Sequence, residues 1–143
     1  MNQHITEHPQ WAHRNVTLIC GPPASGKTTL AHELHPTVIE LEQFTAPTPR
    51  ERLKLFGRAA YRTGRNPAAN TAIIRGAPTQ AERAHHEQLC KPARTIVLLT
   101  PAATCHQRID QRARQRAQGE HQAVDQWWQA WHNEHTVITS RQW

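Results

Sequence analysis

The chain has 143 residues, with 17 Lys and Arg against 11 Asp and Glu, and 37% of it is hydrophobic. That length favours one domain around one core, and no run approaches the roughly 20 apolar residues of a membrane span. Cys20, Cys90 and Cys105 lie far apart without CxxC spacing, which argues against a disulfide framework and a cysteine zinc site.

Residues 1–15, MNQHITEHPQWAHRN, are polar and lack the apolar segment of a signal peptide. They read as a flexible N-terminal segment ahead of a single domain over 16–143. A soluble, cytoplasmic protein with no membrane partner is expected. VTLIC (16–20) is a short β-branched run stopped by Gly21-Pro22-Pro23, the pattern of a buried strand. GKTTLAHELH (26–35) reads as a helix that ends before Pro36. TVIEL (37–41) predicts a second strand, and TAPTP (45–49) a breaker-rich loop. In RERLKLFGRAAYRTG (50–64), Leu53, Phe56 and Ala60 recur at helical spacing, with Gly64 as the expected stop.

NTAIIR (70–75) predicts a third strand, and TQAERAHHEQLC (79–90) a helix whose Thr79 and Glu82 are spaced as a capping box. RTIVLLT (94–100) predicts a fourth strand. A long helical region follows Pro101, with an expected break near Gly119, and TVIT (136–139) reads as a short edge strand. Strands alternating with helices imply an α/β fold: a three-layer sandwich around a four- to five-stranded, mainly parallel sheet.

GPPASGKT (21–28) fits G-x-x-x-x-G-K-[ST], between a predicted strand and a predicted helix. Gly21 and Gly26 permit backbone angles that let successive N–H groups, through Ala24 and Ser25, curl around phosphate oxygens. The helix that follows directs its N-terminus at the same anion. Lys27 is placed to reach the β- and γ-phosphates of a nucleotide, Thr28 to ligate Mg²⁺, and Thr29 to contact the α-phosphate. ATP and Mg²⁺ are the expected ligands.

On these residues, with TVIELEQF and RTIVLLTPAATCHQRIDQRARQR, the chain resembles the small P-loop kinases, closest to the kinase domain of phage-type polynucleotide kinases and zeta-toxin-like P-loop NTPases. The resemblance implies an acidic residue at the end of the second strand that serves the acceptor hydroxyl. Glu42 falls at that place, with Glu40 one alternation away on the same expected strand face. It also implies an aspartate ending the third strand, where this chain has Arg75 and then Gly76. No Asp occurs before Asp110, so Thr28, the nucleotide, water and Glu40 are left to hold the metal. Arg75 is a candidate contact for an acceptor or donor phosphate.

The resemblance further implies an arginine lid after the fourth strand, over about 105–122, with AQGEHQ as its turn. Arg112 and Arg116 are the leading candidates to neutralise the transferring phosphoryl, ahead of Arg108. Arg58, Arg62 and Arg65 share a helix face between the second and third strands, where the resemblance places the acceptor. They suit a nucleic-acid backbone, a single mononucleotide, or plain solvation. Trp127 and Trp131 share another face, suited to core packing or to base stacking. The histidine pairs 32/35, 85/86 and 132/135 lack metal-site spacing, so zinc is set aside.

The expected activity is transfer of the ATP γ-phosphate to a hydroxyl, foremost the 5′-OH of DNA or RNA. A nucleoside or nucleotide kinase, and a nucleotide-binding module or weak ATPase without efficient transfer, are the alternatives. No N-K-x-D guanine signature occurs.

Overall fold

The computed structural model describes residues 3–112 and 117–141, the side chains of 117 and 136–141 excepted. Five strands form one sheet: β1 (Gln3–Glu7), β2 (Asn15–Cys20), β3 (Thr37–Ile39), β4 (Asn70–Arg75) and β5 (Arg94–Leu98). Their order is β1-β5-β2-β4-β3, with β1 antiparallel and the other four parallel. Five helices accompany them: α1 (Lys27–Leu34), α2 (Pro49–Arg65), α3 (Gln80–Cys90), α4 (Ala102–Arg112) and α5 (Ala117–Arg141). The chain is therefore α/β, with a mixed but mostly parallel sheet.

Strand alternation sorts the core into two faces. Leu18, Ile73 and Val97 pack with Phe56 and Ala60 of α2, Cys90 of α3, and Trp127 and Trp131 of α5. Ile19, Ala72, Ile74, Ile96 and Leu98 point the other way, onto Ala31 of α1. Trp127 and Trp131 are buried and stack with centroids 5.6 Å apart, so the tryptophan pair is core. Burial pushes the Cys20 and Cys90 thiols up to about 12, and all three cysteines are free.

Several expectations are corrected. Residues 3–7, read as part of a flexible segment, form edge strand β1, in register with β5 from Gln3 opposite Leu98 to Glu7 opposite Arg94. Its residues are all exposed, so no apolar pattern marked it; the open edge of β5 supplied the pairing. The edge strand expected at 136–139 lies instead within α5. The second strand stops at Ile39, and Leu41–Gln43 turn as a short 3₁₀ helix. Gly119 falls in the first turn of α5, where glycine costs little, and AQGEHQ is helix rather than lid turn. Leu53 is 44% exposed, whereas Phe56 and Ala60 are buried.

The expected capping box of α3 holds, Thr79 Oγ1 accepting from the Glu82 N–H, and Thr48 Oγ1 accepts from the Glu51 N–H to cap α2, a cap the sequence reading did not name. Gly64 does not stop α2; it lies in its last turn, where a Cβ would strike the Leu89 carbonyl oxygen of α3. Among the described residues no helix is long and apolar enough to cross a membrane.

Candidate functional site

The segment between β2 and α1 folds back over the carboxyl ends of the parallel strands. Gly21 N–H donates to the Gly76 carbonyl at 3.1 Å. A Cβ on Gly21 would lie 3.0 Å from the Leu98 carbonyl oxygen, so close approach to β5 requires glycine here. Ala24 and Gly26 both adopt positive φ, 63° and 100°, the alternation that turns successive N–H groups into an anion-binding concavity. Two side chains fasten the loop from outside: Thr100 Oγ1 donates to the Ser25 carbonyl at 2.8 Å, and Arg108 Nη1 to the Ala24 carbonyl at 3.1 Å. No side chain caps α1, so its first N–H groups face the concavity without an internal acceptor.

Lys27 crosses the loop. Its Nζ donates to the Gly21 and Pro22 carbonyls, both at 2.8 Å, and burial pulls its pKa down to about 8. One residue on, the Thr28 hydroxyl donates to Glu40 Oε2 at 3.2 Å. Glu40 is extended just past β3, while Glu42 stands exposed in the 3₁₀ turn. The two carboxylates therefore do not share a strand face, because the strand ends before either.

A cleft of about 680 Å³ brings these groups together. Lys27, Thr28, Glu40 and Glu42 line one side, Arg75 and Gly76 of the β4 end another, and Arg112 with Glu120 a third. The Arg112 guanidinium lies 3.8 Å from Glu120 Oε2. Arg75 donates through Nε to His86 Nε2 at 3.3 Å and lies over the Phe56 ring, 5.3 Å from its centre. Burial, then the charge of Arg75, lowers the His86 pKa to about 4. Its imidazole is neutral and accepts at Nε2, which leaves Nδ1–H buried without a partner among the described residues. A second cavity of about 490 Å³ opens beside Thr29, bounded by Gln3, Leu98, Arg108 and Arg112.

A side-chain chain that sequence inspection missed fastens α4 to α5. Asp125 Oδ1 lies 2.9 Å from His106 Nε2, His106 Nδ1 2.6 Å from His121 Nδ1, and His121 Nε2 2.8 Å from Asp110 Oδ1. These contacts span 19, 15 and 11 positions in the chain and leave no short-range signal.

Of the residues singled out in the sequence, Gly21, Ala24, Ser25, Gly26, Lys27, Thr28, Thr29, Glu40, Glu42, Arg75 and Arg112 converge on this cleft. Arg58 and Arg62 do not. They face a separate groove on the outer side of α2. Arg116 lies outside the described residues. His86 and Thr100 were not foreseen, since a histidine in a helix and a threonine after a strand carry no distinguishing pattern.

The oxygen pair Thr28–Glu40 suits Mg²⁺, which takes one or two protein oxygens and completes its shell with water and phosphate. Among the described residues no group of three His, Cys, Asp or Glu side chains converges to hold a metal. A scan against protein-family models and searches of curated proteins and of solved structures found no match to this chain.

Proposed function

We propose that this protein is a P-loop phosphotransferase that moves the γ-phosphate of ATP to a hydroxyl, foremost the 5′-OH of a nucleic acid. What carries the reading is one convergence. The uncapped start of α1, half-buried Lys27, the Thr28–Glu40 pair, Glu42 and two arginines line a single cleft beyond the parallel strands.

In this reading the triphosphate follows the loop from Thr29 to Lys27, with its nucleoside toward the cavity beside Thr29. Bound Mg²⁺ would neutralise the phosphate oxygens, and Thr28 and Glu40 hold it there. Glu42 is the carboxylate nearest solvent and takes the proton of the attacking hydroxyl. The acceptor oxygen bonds to the γ-phosphorus as the bond to the β-bridging oxygen breaks, and ADP leaves. Lys27 and Arg112 offset charge on the transferring group. Arg75 occupies the β4 end, where an acid was expected, and binds phosphate instead of metal.

A second reading is a nucleotide-binding module or weak ATPase. Glu42 favours it, being exposed in a turn with no partner among the described residues to fix it. Labelled ATP offered with 5′-OH oligonucleotides, nucleosides and monophosphates tests both. Label on a hydroxyl supports the kinase, and label on oligonucleotides selects the nucleic-acid acceptor. Free labelled phosphate alone, or tight binding without turnover, replaces the kinase by the second reading.

A further inference from the structure

The positive charge of the chain is concentrated on one helix. In α2, Arg50, Arg52, Lys54, Arg58, Arg62 and Arg65 stand against the single acid Glu51, a net +5 in a chain whose formal net charge is +6. Among the described residues none of these six cations forms an ion pair, whereas Arg83 and Arg112 elsewhere do. Lys54, Arg58, Tyr61 and Arg62 line an outward groove of about 510 Å³ together with Gly57. Tyr61, the one tyrosine of the sequence, is 47% exposed, and the Arg65 guanidinium sits 4.0 Å from its ring centre.

Gly57 links this groove to a pocket that shares Arg75 with the cleft. That pocket, of about 450 Å³ between α2 and α3, is lined by Phe56, His85, Leu89 and Arg75, and Arg75 in turn lines the cleft. Glycine is disfavoured within a helix, yet nothing lies within 4 Å of a Cβ at this position. Packing does not demand it. Its missing side chain keeps a low saddle between groove and pocket.

We propose that single-stranded nucleic acid docks along the outer face of α2 and crosses Gly57 to reach the cleft. Placing its 5′ end in the cleft rests on the kinase reading; docking on α2 does not. Unpaired cations along about 16 Å of helix, from Lys54 to Arg65, match a phosphate backbone. A ring braced on one face by arginine gives a base a stacking platform, which a single strand can use and a paired duplex cannot. A bilayer is the poorer match. The apolar side of α2 is spent on the core through Phe56 and Ala60, leaving no apolar face to insert.

The test uses the full chain without ATP and a labelled single strand of about ten nucleotides. Affinity falls linearly with salt on logarithmic axes, and Arg58→Ala with Arg62→Ala lowers the slope by about 1.4. Tyr61→Ala weakens binding by at least about fivefold. A wild-type slope in the double variant, or tighter capture by phosphatidylserine vesicles than by the strand, overturns the proposal. A photoreactive base at the 5′ end crosslinks to the stretch 75–89, and an internal one to Tyr61. Gly57→Leu abolishes the first crosslink and keeps the second; retention of both refutes the saddle. If the salt and crosslinking results hold but no hydroxyl gains label, the kinase reading falls and the docking surface stands. If label reaches oligonucleotides while these variants behave as wild type, the docking surface falls alone.

Discussion

The Thr28 hydroxyl donates to the Glu40 carboxylate at 3.2 Å, tying the first turn of α1 to the chain just beyond β3. Glu42, two residues on, lines the same cleft without that contact. Under the proposed kinase reading, this contact gives Glu40 the metal-supporting role and Glu42 the acceptor. Glu40→Gln should raise the Mg²⁺ needed for half-maximal turnover by about tenfold or more. Glu42→Gln should instead lower kcat by roughly 10²–10⁴. A Mg²⁺ titration of both variants decides it: an altered metal requirement in Glu42→Gln alone would exchange the two roles.

Lys27 is charged only below its lowered pKa of about 8. A bound phosphate favours the charged form, so binding raises that pKa and takes up a proton. Nucleotide affinity should therefore fall as pH rises through 8, by up to about tenfold per unit. Calorimetry near pH 8 in buffers of different ionisation enthalpy should show net proton uptake, and zero uptake would refute the assignment. Stability responds with the opposite sign. Between about 8 and the ordinary 10.5 the folded protein sheds a proton that the unfolded chain keeps, so this group alone makes the fold more stable with rising pH.

His86 works on the acid side. Buried beside Arg75, it stays neutral down to about 4, while in the unfolded chain it titrates at 6.5. The unfolded state binds the extra proton between those values, so stability falls as pH drops from 6.5 toward 4. His86→Phe should flatten that part of the curve. Urea melts of both proteins at several pH values measure it, and parallel curves would remove His86 as the cause.

Two glycines of α2 should respond in opposite directions. Gly57→Ala meets nothing within 4 Å and should stabilise by about 0.5–1 kcal/mol through helix propensity. Gly64→Ala drives a Cβ into the Leu89 carbonyl and should cost about 1–3 kcal/mol by forcing α2 and α3 apart. Denaturant midpoints report both, and equal shifts would contradict the α2–α3 contact.

Much of the architecture was legible because its signals are local. The runs at 16–20, 70–75 and 94–98 are apolar and β-branched between breakers, and Thr79 caps the helix it precedes. The loop from Gly21 to Thr28 was legible for the same reason, as its backbone angles demand glycine at set positions. β1 was not legible. Its five residues are exposed, and only the unpaired edge of β5 makes a strand of them. The same holds for the histidine pair that joins α4 to α5.

By itself, then, the sequence determined the alternation of strands and helices and the glycine-bounded loop between β2 and α1, since both rest on periodicity and backbone sterics over a few residues. Tertiary structure alone decided which charged groups meet. It brought Glu40 to Thr28 by ending β3 early, seated Arg75 against His86 in the core-side pocket, and turned Arg58 and Arg62 away from the cleft. Those outcomes depend on distances between residues far apart in the chain, and such distances exist only once the sheet has set the helices in place.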